Sequence, residues 1–336
     1  MKKSSRLLLV LLTLILLISY AYAQENSHWP SQLRFMSGPS GGNWSILGDS
    51  LCSLWSSSEL PHASSIQGAG VSNILHIHAR RGDLGFSVTS LLGAALKGES
   101  DFSGRKITNA VIMANLYTQY TYFVMRKDFA QKYAVTSLED IITKKIPVRF
   151  AALRPGTSSE FVVKALFEKG YGLDYRKALQ DWGGSVEYAS YDGGADLLAE
   201  NHADCFAFSV GKIAPAVMNI EARTDVVLLS VGQDALDKLS DAYGTVTLTI
   251  EPGIYNSLPE GAEPVKTVGD YTCIVIRKDL PESLVYALNK TLWEHKADLA
   301  ANVQDIAELE AASAIPEKTP AHTGSVRFWR EILSGK

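Results

Sequence analysis

The sequence predicts an α/β protein of two lobes with a central cleft, and three observations carry this. Two separate series of β-like and helical runs alternate along the chain. Two β-rich passages, residues 120–126 and 271–277, end in nearly the same phrase: Val124-Met125-Arg126-Lys127-Asp128 and Val275-Ile276-Arg277-Lys278-Asp279. Finally, 336 residues, 46% hydrophobic and 20% charged, are better housed in two cores than in one. The balance of 32 Lys+Arg against 36 Asp+Glu excludes a disordered chain and a nucleic-acid binder.

The chain opens on Lys2, Lys3 and Arg6, an apolar run over residues 7–18, and Ala21-Tyr22-Ala23. That is the pattern of a secretory signal peptide cut after Ala23. The apolar run is 12 residues, short of the roughly 20 that span a bilayer as a helix. Its removal takes away three cations and no anion, moving the formal charge from −4 to −7. The expected mature chain is acidic, soluble and outside the cytoplasm, with no direct membrane insertion.

The first series reads as strand 32–36, helix 44–56, strand 64–67, helix 72–79 and strand 83–88, the order of a parallel sheet with helices on its faces. The second reads as strand 148–153, helix 157–169, strand 185–190, helix 192–200, strand 205–209, helix 213–222 and strand 226–231. The two similar phrases mark neighbouring strands that pass between lobes. After the second crossing, Pro281 fits a first helical turn and residues 282–296 continue it. The tail after Pro316 carries aromatic residues and is expected to pack. Lobe 1 is therefore assigned to 24–119 and 265–336 and lobe 2 to 127–264, with paired hinge crossings near 120–126 and 265–277.

Ligands of open α/β sheets lie beyond the carboxyl ends of the strands, so facing lobes place a site in the cleft. There the first strand runs into Ser37-Gly38-Pro39-Ser40-Gly41-Gly42-Asn43-Trp44, and the opening strand of the second lobe into Arg154-Pro155-Gly156-Thr157-Ser158-Ser159. Small-residue loops opening helices expose backbone N–H groups where the dipole favours an anion. Arg154 is positioned for a bidentate hold on a carboxylate. Each loop alone also fits a tight turn with an N-cap; their equivalent positions in two lobes favour the clamp. Trp44, Tyr117, Tyr120 and Tyr122 are candidates for a pocket wall or for core packing. Asn73, after the turn at Gly68–Gly70, is a candidate polar contact, although Ser72 fits simple capping.

Gly38-Pro39-Ser40-Gly41-Gly42 also satisfies the GxSxG elbow of α/β hydrolases. That fold needs several strands before the elbow, and only 14 residues separate Ala23 from Gly38. No signature nominates a base among His202, His295 and His322, so the expectation is a binding protein and not an enzyme. His76 and His78, two apart on a helix, point to different faces. Cys52, Cys205 and Cys273 show no CxxC spacing, so neither metal nor cofactor is expected; an oxidising compartment permits one disulfide but does not say between which two.

Further features make the chain similar to the TAXI-family solute-binding proteins, receptors of tripartite ATP-independent periplasmic (TRAP) transporters. These are the signal peptide, Ser37–Trp44 with Leu47-Gly48, and Gly70-Val71-Ser72-Asn73 with Gly82-Asp83-Leu84-Gly85-Phe86. They continue with Asn115-Leu116-Tyr117, Pro155-Gly156-Thr157-Ser158, Ile250-Glu251-Pro252-Gly253-Ile254-Tyr255 and Val265-Lys266-Thr267-Val268-Gly269. The last are Leu280-Pro281-Glu282-Ser283-Leu284-Val285-Tyr286 and the ending from Pro320 to Glu331. The resemblance implies a two-lobed periplasmic-binding-protein-like fold (type II) with paired hinge strands. It implies a small organic anion, a glutamate-like amino acid or a dicarboxylate, delivered to TRAP membrane subunits. The first loop departs from the family's paired tyrosines with Asn43-Trp44-Ser45, and the second reads Gly-Thr-Ser-Ser. These changes alter the pocket wall. The expected contacts are Ser40, Gly41, Gly42, Asn43, Trp44, Asn73, Tyr117, Arg154, Thr157, Ser158 and Ser159. A ligand-sensing input to a receptor kinase is the alternative on the same fold.

Overall fold

Alternating strands and helices build one ten-stranded mixed sheet whose strands lie in the order 62–66, 32–36, 84–88, 265–277, 110–126, 205–210, 149–153 and 185–189, with 226–228 beside 110–126 and 246–250 beside 265–277. The computed structural model describes residues 28–38 and 43–335. The segment read as a signal peptide lies outside them, as do Ser40, Gly41 and Gly42.

The first series is β1 (Gln32–Met36), α1 (Asn43–Ser57), β2 (His62–Ile66), α2 (Gly70–His78), β3 (Leu84–Val88) and α3 (Thr89–Lys97). β1 pairs in parallel with both β2 and β3. The long β4 (Ala110–Arg126) then leads to α4 (Lys127–Tyr133), α5 (Leu138–Lys144), β5 (Arg149–Leu153) and α6 (Ser158–Ala165). Next come α7 (Tyr175–Asp181), β6 (Ser185–Ala189), α8 (Tyr191–Ala199), β7 (Cys205–Val210), α9 (Pro215–Glu221), β8 (Val226–Leu228), α10 (Gln233–Tyr243) and β9 (Val246–Ile250). β5 lies parallel between β6 and β7. β10 (Val265–Arg277) returns, followed by α11 (Glu282–Glu294), α12 (Lys296–Asn302), a 3₁₀ turn (Gln304–Glu308) and α13 (Thr323–Leu333).

β4 and β10 join the two lobes. They run antiparallel from Gly269↔Tyr120 to Arg277↔Ala110. On the first lobe β10 also pairs β3, while beyond the crossing β4 pairs β7 and β8 and β10 pairs β9. Both strands exceed the sequence expectation, because the preceding residues 110–119 and 265–270 are also almost wholly buried. α3, α10 and β9 had no counterpart in the periodicity reading. The expected helix 157–169 ends at Ala165 and widens into a π-type turn over Leu166–Gly170.

The same arrangement pins both lobes. In the first, the Arg34 N–H donates to Asp83 Oδ2 at 2.8 Å and its Nε to the same oxygen at 3.1 Å, while Arg277 N donates to Asp83 O. In the second, Arg149 N and Nε reach Asp204 Oδ2 at 2.8 and 3.1 Å, and Arg126 N donates to Asp204 O. Arg126 and Arg277 each pair with the aspartate two residues on, Asp128 and Asp279. This accounts for the repeated phrase.

Two cores lie mainly within one lobe each. Leu47, Trp55, Phe86, Leu288 and Trp329 belong to the first, and Tyr122, Phe206, Phe208 and Tyr255 to the second. A third runs across both, including Leu91 and Leu92 of α3 with Phe161 of α6 and Leu236 of α10. Each such buried side chain contributes roughly 1.5–3 kcal/mol, so one flank of the lobe junction is apolar. Ion pairs edge it, Lys164 with Asp101 at 2.7 Å and Lys169 with Glu99 at 3.0 Å. All three cysteines are free and buried, so no disulfide forms. Burial pushes the Cys52 thiol up to about 12 and raises Cys205 and Cys273 as well. Among the described residues no helix is long and apolar enough to cross a membrane.

Candidate functional site

Where β4 and β10 cross, polar side chains from both lobes gather. Thr272 pairs with Tyr117 in register and is fully buried. Its hydroxyl accepts from Gln119 Nε2 at 2.7 Å and from Trp44 Nε1 at 3.3 Å. Trp44 enters from the first turn of α1, its ring 5.6 Å from that of Phe86. Gly38 permits this: a Cβ there would stand 2.5 Å from Trp44 Cβ. Burial pushes the Tyr117 phenol up, hydrogen bonds with Thr272 and Trp44 offsetting part of it, while the charge of Asp305 adds to the rise.

Lobe 2 supplies the opposite wall. Ser159 Oγ donates to Ser209 O and accepts from Ser209 N, both at 3.0 Å, and Tyr191 Oη donates to Ser209 O at 2.8 Å. These bonds fix the carboxyl end of β7, the end at which open sheets bind ligands. Across the seam, Asp305 of the 3₁₀ turn stands against Gly211, where a Cβ would lie 2.6 Å from both carboxylate oxygens. Asn43 Nδ2 donates to Asp305 Oδ2 at 3.0 Å. Burial raises the proton affinity of Asp305; the Asn43 bond opposes this and the negative charge of Glu308 reinforces it.

The structure brings Asn43, Trp44 and Tyr117 of the expected set together with Gln119, Thr272, Tyr191, Asp305 and Gly211. Tyr120 and Tyr122 are core residues: Tyr122 stacks on Phe208, donates to Lys212 O at 2.7 Å and accepts from Tyr255 Oη. Alternation along the strand separates them from Tyr117 and Gln119. That period was visible in the sequence. Nothing in the sequence pointed to Asp305, which lies in a short turn with no motif.

Several expected contacts serve the scaffold instead. Asn73 is wholly buried; its amide N donates to Met36 O, Ser37 O and Phe86 O at 2.8–3.0 Å, and its Oδ1 accepts from Ala69 N. It holds the floor beneath the first loop and has no group left for a ligand. Thr157 caps α6, accepting from Glu160 N and donating to Arg154 O. The Ser159 hydroxyl is engaged by Ser209 as above. Ser158 differs: among the described residues its hydroxyl has no hydrogen-bond partner. Arg154 is exposed and its guanidinium makes no bond among the described residues, so it stands at the rim and not in a desolvated clamp. The second loop meets α2 directly, Val71 N donating to Gly156 O at 3.3 Å.

Of the three histidines weighed as a base, His322 is buried and caps α13, accepting from Gly324 N at 3.2 Å, its other ring nitrogen 3.1 Å from Leu280 O. His295 pairs with Asp298 and His202 with Glu200 at the surface. Among the described residues no group of three His, Cys, Asp or Glu side chains is placed to hold a metal ion.

The fold is shared with solved structures. XAC2383 from Xanthomonas citri, bound to a chloride ion, matches with a TM-score of 0.51 at 12% identity, covering 91% of this chain and 97% of that one. MatC from Rhodopseudomonas palustris, with bound malate, matches with a TM-score of 0.51 at 16% identity, covering 91% and 98%. At these identities the likeness shows the two-lobed periplasmic-binding-protein-like fold alone. None of the curated proteins compared with the chain matches it. A family model does, over residues 35–332, from β1 into α13, and the chain therefore belongs to the NMT1-like family.

Proposed function

We propose that this protein is an extracytoplasmic solute receptor of the TAXI type, serving a TRAP transporter. It takes a small carboxylate-bearing solute, a glutamate-like amino acid or a dicarboxylate, between its lobes and hands it unaltered to a membrane permease. The observation that carries this reading is the polar cluster around Thr272 at the crossing of β4 and β10, faced by the carboxyl end of β7 in the other lobe. A ligand touching both walls shifts an open–closed equilibrium by its preference for the closed form, and no chemistry is needed. Membership of the NMT1-like family and the fold shared with the malate-bound MatC support it.

In this reading residues 1–23 export the chain to the periplasm, and lobes 24–119 with 265–336 and 127–264 swing about the crossings. Ser40, Gly41 and Gly42 with the start of α1 receive the carboxylate, Trp44 and Tyr117 wall it, and Ser158 offers a free hydroxyl. Arg154 at the rim steers anions inward; its replacement by Ala is expected to lower the association rate and cost under about 1 kcal/mol. A thermal-shift screen with amino acids, dicarboxylates and keto acids tests the assignment. A true ligand at 100 times its Kd stabilises the protein by about 2.7 kcal/mol. A response to neutral sugars with silence across organic acids would reject it.

A further inference from the structure

Asp305 faces the other lobe, and among the described residues no cation answers it. Among the described residues its carboxylate accepts from Asn43 alone and takes part in no ion pair, and the charged group acting on it is another carboxylate, Glu308. Glu308 is itself satisfied, its Oε2 accepting from Thr118 N at 3.0 Å and Thr118 Oγ1 at 2.6 Å. Half-buried and uncompensated, Asp305 carries a desolvation cost that an arriving positive charge would repay. Its position is that of a ligand group, opposite Gly211 at the exit of β7 and within electrostatic reach of Tyr117. The neighbouring start of α1 has the opposite polarity. This 15-residue helix has no acidic residue in its first turn, so its N-terminus favours an anion.

A positive helix end and a negative side chain joined through Asn43 are complementary to a solute carrying both charges. Two carboxylates would bring a second negative charge toward Asp305 and Glu308. We propose that Asp305 receives the ammonium group of a zwitterionic solute, making it the residue that selects an amino acid over a dicarboxylate. This inference rests on the solute-receptor reading of the cleft.

Calorimetric titration of the wild-type mature protein with two matched pairs tests it: L-glutamate against glutarate, and L-leucine against 4-methylpentanoate. In at least one pair the amino acid is expected to bind at least about tenfold tighter than its partner lacking the amine. Asp305→Asn keeps the size and the Asn43 contact; it is expected to bring that ratio to within about threefold by weakening the amino acid, without weakening the amine-free acid. Equal or tighter binding of the amine-free acids by the wild type overturns the inference and leaves the receptor reading standing. So does an equal loss for both members in D305N. Failure of all four probes to bind overturns both. Should D305N not fold, the two wild-type pairs decide the inference by themselves.

Discussion

The carboxylate of Asp305 rests against the α-carbon of Gly211, leaving room for a hydrogen atom and nothing larger. Both carboxylate oxygens would lie 2.6 Å from a Cβ at that position, closer than such contacts allow. Gly211→Ala is therefore expected to wedge the seam. Overpacking of this kind costs roughly 1–3 kcal/mol; in the proposed receptor, where the seam forms on closure, this cost appears as weaker binding, by about 5- to 150-fold. Unchanged affinity, with unchanged small-angle scattering in the presence of solute, would show that the seam tolerates the extra methyl group.

Thr272 holds two donors at once, from Gln119 and Trp44. Thr272→Val keeps the shape but removes the acceptor. Leaving buried N–H groups unpaired costs about 1–3 kcal/mol, so denaturant unfolding should show a loss in that range, with the Trp44 emission shifted. No change in stability would mean that water or a re-oriented Gln119 replaces the hydroxyl.

Asp270 is buried at the crossing, accepting from Tyr271 N at 2.7 Å and from the hydroxyl and N–H of Ser90 at the start of α3. Burial outweighs these bonds and raises its carboxyl from 3.8 to about 6. The folded state thus holds the proton more tightly than the unfolded one. Stability from this group is present below about pH 4 and is lost as pH rises to about 6, at about 1.4 kcal/mol per unit of difference. Asp270→Asn should remove that part of the slope, so the melting-temperature difference between variant and wild type should change with pH between 4 and 6. A difference that stays constant over this range would refute the assignment.

Trp329 of α13 is buried against the first lobe, its Nε1 donating to Asn289 Oδ1 at 2.9 Å. Asn289 in turn donates to Ser325 Oγ and Val285 O. Trp329→Ala is expected to destabilise the protein by about 3–5 kcal/mol, read by chemical denaturation. A loss below about 1 kcal/mol would mean that the C-terminal helix contributes little to the lobe.

Much of the scaffold was legible because its signals are local. Residues 32–36 alternate and are followed by a small-residue loop and a helical run, so β1 and α1 could be read directly. The repeated Arg-Lys-Asp phrase marked the ends of β4 and β10, since each arginine pairs with the aspartate two residues on while its N–H donates to an aspartate carbonyl at the entry of the neighbouring strand, Asp204 before β7 and Asp83 before β3. α3 was missed because it is buried on nearly every side, which blurs an amphipathic period; α10 carries a clear apolar stripe at Ala235, Leu236, Leu239 and Tyr243, so its period was there to be read.

The sequence by itself determined the alternation of strand and helix, the two crossings, the glycine loops and the resemblance to exported solute receptors, because each is written in neighbouring residues. Only the tertiary structure decided which polar groups remain available at the site. It engaged Asn73, Thr157 and Ser159 in backbone hydrogen bonds, left Arg154 at the rim, and brought Asp305 opposite Gly211, 94 positions away in the chain. The reason is that a side chain's free hydrogen-bonding capacity depends on what folding places beside it, and long-range neighbours leave no local pattern to read.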